Sequence, residues 1–137
     1  MTDITEIIKF VKEETCVSEV TEDSDIEDDL GCYGDDFFEM IEKYSKNFNV
    51  DLSTYLWYFH TGEEGFASIG GIFFKPPNRR VKRIPVTPKL LFEFAQKGKW
   101  SLEYPEHKIP KKRYDSLVNQ IIMLILIISV IVHYIFK

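Results

Sequence analysis

The sequence predicts a mainly α-helical protein: a small helical domain followed by a single C-terminal transmembrane helix. Three observations carry this. Apolar residues recur every three or four positions in residues 3–14, 34–48 and 88–97, the period of a helix with one buried face. Residues 117–136, LVNQIIMLILIISVIVHYIF, hold no Asp, Glu, Lys or Arg. Charge is also segregated along the chain. Residues 1–74 carry 4 Lys/Arg against 18 Asp/Glu, residues 75–116 carry 12 against 4, and Lys137 stands alone after them. A length of 137 residues suits one domain with a short appendage. Two cysteines, Cys16 and Cys32, exclude a disulfide scaffold, and 7 Gly with 6 Pro exclude collagen-like or low-complexity chains.

The elements follow in order. In residues 3–14, Ile4, Ile7, Ile8 and Val11 line one helix face, and Thr2 or Asp3 can cap its start. Residues 18–34 are an acidic connection with Ile26 and Leu30 as apolar pegs. A second helix opens at Gly34-Asp35-Asp36 and carries an apolar stripe of Phe37, Phe38, Met40, Ile41, Tyr44 and Phe48. Its early acids complement the positive end of the helix dipole. Asp51 or Ser53 is expected to cap a short third helix over residues 53–60, rich in aromatics. Residues 61–71 form a glycine-rich loop, and residues 72–74 read as a strand or core peg. Residues 75–85, KPPNRRVKRIP, are a proline-bounded basic loop. Thr87-Pro88 is a strong helix start, Leu90, Leu91, Phe94 and Ala95 are its buried face, and Gly98 ends it. Trp100, Leu102 and Tyr104 alternate until Pro105.

The domain boundaries are therefore 1–104 for a helical domain, 105–116 for a basic juxtamembrane linker and 117–136 for the span. Twenty helical residues rise about 30 Å, the thickness of a bilayer's hydrocarbon core. Lys108, Lys111, Lys112 and Arg113 precede the span and only Lys137 follows it. Positive flanks stay cytoplasmic, so residues 1–116 are expected in the cytoplasm. The first fourteen residues are acidic and lack an apolar core, so no leader is expected there. The span closes the sequence, which suggests a single-pass, tail-anchored protein. In that reducing compartment Cys16 and Cys32 are expected as free thiols.

Residues 26–50, IEDDLGCYGDDFFEMIEKYSKNFNV, resemble the core of an acyl carrier protein. That family opens its second helix with Leu-Gly-x-Asp-Ser-Leu and closes it with Phe-Gly-Val. Leu30-Gly31, Glu39, Phe48 and Val50 match without a gap. The family's serine, which takes the phosphopantetheine arm, falls on Gly34, so the resemblance implies a carrier-like fold without that attachment. Together with residues 84–100, IPVTPKLLFEFAQKGKW, the same stretch looks like a bacterial family called domain of unknown function 1493. This likeness covers residues 3–104 and implies fold rather than activity. It also implies the bacterial inner membrane as the site of the span.

The remaining chemistry is sparse. His60, His107 and His133 are dispersed, and no Ser-His-Asp or Cys-His pairing can be assembled from them. Cys32 lies near a helix start, but the acids around it oppose a reactive thiolate. Asp23-x-Asp25-x-Glu27 superficially opens a calcium loop, yet Asp28 stands where glycine is required and Gly34 where glutamate is. No catalytic residue, metal or cofactor is expected. Asp35, Asp36, Glu39 and Glu42 would, by the carrier resemblance, form a docking face for a protein partner with a basic patch. Lys75, Arg79, Arg80, Lys82 and Arg83, with the cluster from Lys108 to Arg113, suit either an anionic membrane surface or pairing with the acidic half. Nucleic acid is not an expected partner, since no aromatic platform or recognition helix accompanies the basic residues. The leading expectation is a membrane-tethered interaction or adaptor domain. One rival is a lipid- or acyl-handling protein or enzyme accessory with a pocket among Phe37, Tyr44, Trp57 and Phe94. Another is a small membrane-active stress or toxin protein.

Overall fold

The computed structural model describes residues 2–63 and 68–136. Among the described residues there are five α-helices: α1 (Ile4–Thr15), α2 (Gly34–Phe48), α3 (Ile69–Phe73), α4 (Pro88–Lys97) and α5 (Tyr114–Ile135). Two 3₁₀ turns, Trp57–Phe59 and Pro77–Arg79, lie between them. Among the described residues there is no strand, only an isolated parallel bridge between Asp51 and Lys99. The chain is thus mainly helical, with one long apolar helix at its end.

The caps explain where the helices start and stop. Asp3 is the N-cap of α1, and the Glu6 carboxylate accepts its backbone N–H at 3.0 Å, closing the helix start as a capping box does. Cys16 ends α1 in the left-handed conformation, and Asn49 does the same for α2. Thr87 Oγ1 accepts the Leu90 N–H at 3.2 Å, Pro88 fills the first turn of α4, and Gly98 at φ +67° ends it.

The core lies where α1, α2 and α4 meet. Ile7, Phe10 and Val11 from α1 pack with Phe37, Met40, Ile41 and Tyr44 from α2 and with Leu91 and Phe94 from α4. The Tyr44 hydroxyl donates to the Leu91 carbonyl, so a polar atom in this core is satisfied. The acidic connection contributes Val20, Ile26 and Leu30, and the Ile26 N–H donates to Val86 O at 3.0 Å. Trp100 closes the far side against Phe94, with ring centroids 4.6 Å apart.

Two expectations are corrected. Residues 53–60 do not form a helix; only Trp57–Phe59 turn, as 3₁₀. The Asp51 carboxylate accepts both the Ser53 N–H and its hydroxyl at 2.8 Å, Thr54 Oγ1 donates to Trp100 O, and the Tyr104 hydroxyl accepts the Leu56 N–H. Tertiary partners take the groups that a helix would use, and eight residues offer too little cooperativity to resist. Residues 72–74 are neither strand nor core peg. Ile72 and Phe73 belong to α3 and stand 71% and 73% exposed.

α5 begins three residues before the expected span and has a mean hydropathy of 2.3 over its most apolar window. Its 22 residues give about 33 Å of helix. It is long and apolar enough to cross a membrane, and that window is not buried within the protein. α3 packs against the start of α5.

Candidate functional site

The acidic residues singled out on α2 form one exposed stripe. Asp35, Asp36, Glu39 and Glu42 all point outward while Phe37, Met40 and Ile41 point into the core. Glu39 pairs with Lys43 at 3.1 Å and Glu42 with Lys46 at 4.0 Å, each one turn on. Lys43 also reaches Glu14 of α1 at 2.9 Å. Among the described residues, Asp35 and Asp36 have no such cationic partner. Beside them, Tyr33 at the N-cap stands 55% exposed. Sequence reasoning gave Tyr33 no role, because a tyrosine before a helix is as easily a core residue as a surface one.

Gly34 is buried in the first turn of α2, and its N–H donates to Thr61 Oγ1 at 3.0 Å. Its φ is +61°, a region costly to residues with a Cβ. A hydroxyl-bearing side chain would therefore be strained here, quite apart from the residue type now present. Cys32, two residues earlier, is buried as well. Burial, then Asp36, Glu14 and Glu27, push its thiol up to about 11. It is not poised as a nucleophile. Cys16 is exposed, and neither cysteine is in a disulfide.

His60 has a clear place in the fold. Its Nδ1–H donates to Ile84 O at 2.9 Å, and its Nε2 accepts from the Tyr104 hydroxyl at 2.8 Å. The Tyr104 oxygen in turn accepts the Trp100 Nε1–H at 2.8 Å. The ring stacks on Tyr55 at 5.3 Å. Burial pushes the imidazole down to about 4, so the ring is neutral and structural. His107 Nε2 accepts the Tyr58 hydroxyl at 2.8 Å, which holds the segment before α5 to the domain.

The basic residues divide into two sets. Arg83 turns inward and pairs with Asp25 at 2.7 Å, with Asp28 and with Glu27 at 3.9 Å. Burial raises the Asp25 carboxyl, but the Arg83 hydrogen bonds, the Glu27 N–H, the Arg83 charge and the Asp28 N–H together outweigh it and hold the group below its usual range. Asp25, read as part of a calcium-like loop, is thus an anchor for the basic segment. Arg113 likewise turns inward, to Glu63 at 2.8 Å and Asp115 at 2.6 Å. By contrast Lys75, Arg79, Arg80, Lys82, Lys108, Lys111 and Lys112 are exposed, with no carboxylate partner among the described residues.

The structure also assembles a junction that the sequence did not announce. A Cβ built on Gly70 would lie 2.0 Å from the Asp115 carbonyl oxygen, so α3 and α5 touch backbone to backbone. The Gly70 N–H donates to Asn119 Oδ1 at 2.9 Å, and Asn119 Nδ2 donates to Ser68 Oγ at 2.6 Å. Asn119 is the pin of this contact. A cleft of about 700 Å³ opens beside it. Asn78, Arg79 and Ser116 are among its polar lining residues, Ile122, Met123 and Leu126 among its apolar ones. The pocket envisaged from sequence is not there: Phe37, Tyr44 and Phe94 are packed core, and Trp57 sits edge-on to Phe38 at 5.6 Å. Residues 64–67 of the glycine-rich loop, and the flanking Lys137, lie outside the described residues.

The region from the α1 cap to the segment after Trp100 matches, over residues 2–103, the family model for a protein of unknown function (DUF1493). The chain belongs to the DUF1493 family. No curated protein and no solved structure matches it. The DUF1493 match takes in the acidic stripe, Gly34 and α3. It stops before Arg113 and α5, so the junction joins the family's domain to a helix outside the match.

Proposed function

We propose that this DUF1493 protein is a membrane-tethered interaction domain of carrier-like fold. It docks a partner bearing a basic patch through the start of α2. The observation that carries the reading is the exposed stripe Asp35, Asp36, Glu39 and Glu42 beside exposed Tyr33. An aromatic anchor ringed by charge is a common recognition surface, with the anchor supplying affinity and the charges steering the encounter. The unbroken likeness of residues 30–50 to the carrier motif supports the same face, because carriers dock through that helix start. Buried, left-handed Gly34 in place of the serine supports recognition without an acyl arm. The cations Lys108, Lys111 and Lys112 before α5 support a cytoplasmic domain at the bacterial inner membrane, with one crossing.

The test reverses charge where it is exposed. Asp35→Lys with Glu39→Lys changes the local charge by about +4, while exposed positions usually move stability by under ~0.5 kcal/mol each. Unfavourable helix-dipole terms add roughly 0.3–1 kcal/mol per site. The double variant should keep its helicity and lose the partners captured with the full-length protein from membranes, as identified by mass spectrometry. Recovery of the same partners at the same salt would remove this face from consideration. The junction cleft favours a second reading, a lipid- or acyl-handling protein. Native mass spectrometry of the detergent-extracted chain should then find a stoichiometric bound lipid.

A further inference from the structure

Five large hydrophobic side chains stand exposed among the described residues before α5: Tyr33, Ile69, Ile72, Phe73 and Phe74. Four of the five belong to α3 and its C-cap. A domain that buries Ile7, Val11, Tyr44 and Leu91 completely has not failed to find room for them. A contiguous apolar patch of this kind marks a surface that something covers.

Three features say what covers it. First, the patch is continuous with the apolar helix. α3 runs antiparallel along the opening turns of α5, from Ser68 at Asn119 to Phe74 at Tyr114, whose rings lie 5.6 Å apart. Second, the depth is fixed. Gly70 meets the Asp115 carbonyl, and Ile69 shares the cleft with Ile122, Met123 and Leu126 of α5. If α5 spans the bilayer, α3 lies at the level where headgroups give way to acyl chains. Third, the rim is cationic. Lys75, Arg80 and Lys112 surround Phe74 and Tyr114 in a small second cleft. Cations beside aromatic and aliphatic side chains are the usual composition of an element lying in the interface of an anionic leaflet.

We infer that α3 is a second membrane element: a wedge whose residues Ile69, Ile72, Phe73 and Phe74 lie in the interfacial layer beside the start of α5, with Lys75, Arg80 and Lys112 on anionic headgroups. The occupant of the patch is the lipid bilayer. This rests on α5 crossing the membrane, which is part of the proposed function, and on nothing about the α2 face.

The test uses the full-length chain in liposomes of phosphatidylethanolamine with phosphatidylglycerol. Exposed Cys16 is changed to serine, and single cysteines are placed at Phe73, Ile127 and Glu42 for an environment-sensitive fluorophore. The Cys16→Ser parent gives the labelling background from buried Cys32. Ile127 reports the span, and Glu42, outward on α2, reports water. Iodide quenches from the water side and nitroxide-bearing lipid from the membrane side. The Phe73 label should be quenched several-fold less by iodide than the Glu42 label, and by lipid nitroxide as the Ile127 label is. Iodide quenching of the Phe73 label equal to that at Glu42 would overturn the wedge while leaving the span intact. Shielding of the Phe73 label from both quenchers would also overturn it, since a protein surface would then cover α3. If the Ile127 label also escapes lipid nitroxide, the span fails and the wedge with it. The same label at Ile72, which faces outward without packing duty, guards against a local defect at Phe73 and is expected to give the same result.

Discussion

His60 enters the fold neutral, wedged between Ile84, Tyr104 and the Tyr55 ring. In the unfolded chain the imidazole takes a proton near pH 6.5, and in the folded chain burial delays this to about 4. Protonation therefore favours unfolding. The stability that His60 contributes is complete above pH 6.5 and is lost as pH falls through 6.5 toward about 4. At 1.36 kcal/mol per pH unit, denaturant unfolding of the full chain in detergent should show a loss of roughly 2–3 kcal/mol between pH 7.5 and 4.5. Asp25, whose carboxyl is also held low, acts below this window. Equal stability at the two pH values would contradict the network. Gly70 is the other single residue with leverage. Gly70→Ala sets a methyl group against the Asp115 carbonyl, and overpacking of this kind costs about 1–3 kcal/mol. The cost should fall on the junction, so backbone hydrogen exchange over residues 68–74 should accelerate while α2 stays protected.

At the scale of elements, α1, α2, α4 and α5 were legible because their signals are local. Thr87-Pro88 at one end and Gly98 at the other bracket four apolar positions at helical spacing; the structure uses both ends as read, buries Leu91 and Phe94, and packs Leu90 and Ala95 half-buried against the core. Removing one such signal has a calculable effect. Thr87→Ala should lower stability by about 1 kcal/mol, the usual cost of a lost N-cap. In a domain of this size that is roughly 4–8 °C in Tm by calorimetry. α3 and residues 53–60 were misread because non-local partners decide them. Thr54 answers to Trp100 and Leu56 to Tyr104, and no window around residue 55 contains those partners. A run of Ile-Phe-Phe has the composition of a strand. Only contact with α5, more than forty residues on, places it on a surface. The acidic stripe was readable from helical spacing, whereas the exposure of Tyr33 was not.

The whole molecule is a domain and an apolar helix that share a contact. Alkaline carbonate extraction should leave the full-length protein with the membrane pellet. A chain ending before Tyr114 should partition to the supernatant, since an interfacial element alone does not resist carbonate. A soluble full-length protein without detergent would refute the crossing. The juxtamembrane residues, expected as a linker, are extended but attached. His107 is held by Tyr58, and Arg113 is spent on Glu63 and Asp115.

The backbone contact at Gly70 also has a mechanical meaning. A domain on a slack tether swivels freely about its membrane helix and ignores that helix's motions. Here, turning α5 by one residue, about 100°, would carry Asp115 and Asn119 away from α3, so the domain must turn with it. Helices tilt to match the thickness of the bilayer around them. A tilt of α5 would be passed through Gly70 and Asn119 as torque and would swing the Asp35–Glu42 stripe through the same angle relative to the membrane plane. If α5 crosses a bilayer, the domain is thereby geared to it, and the heading of the acidic stripe around that helix is set by the Gly70 contact.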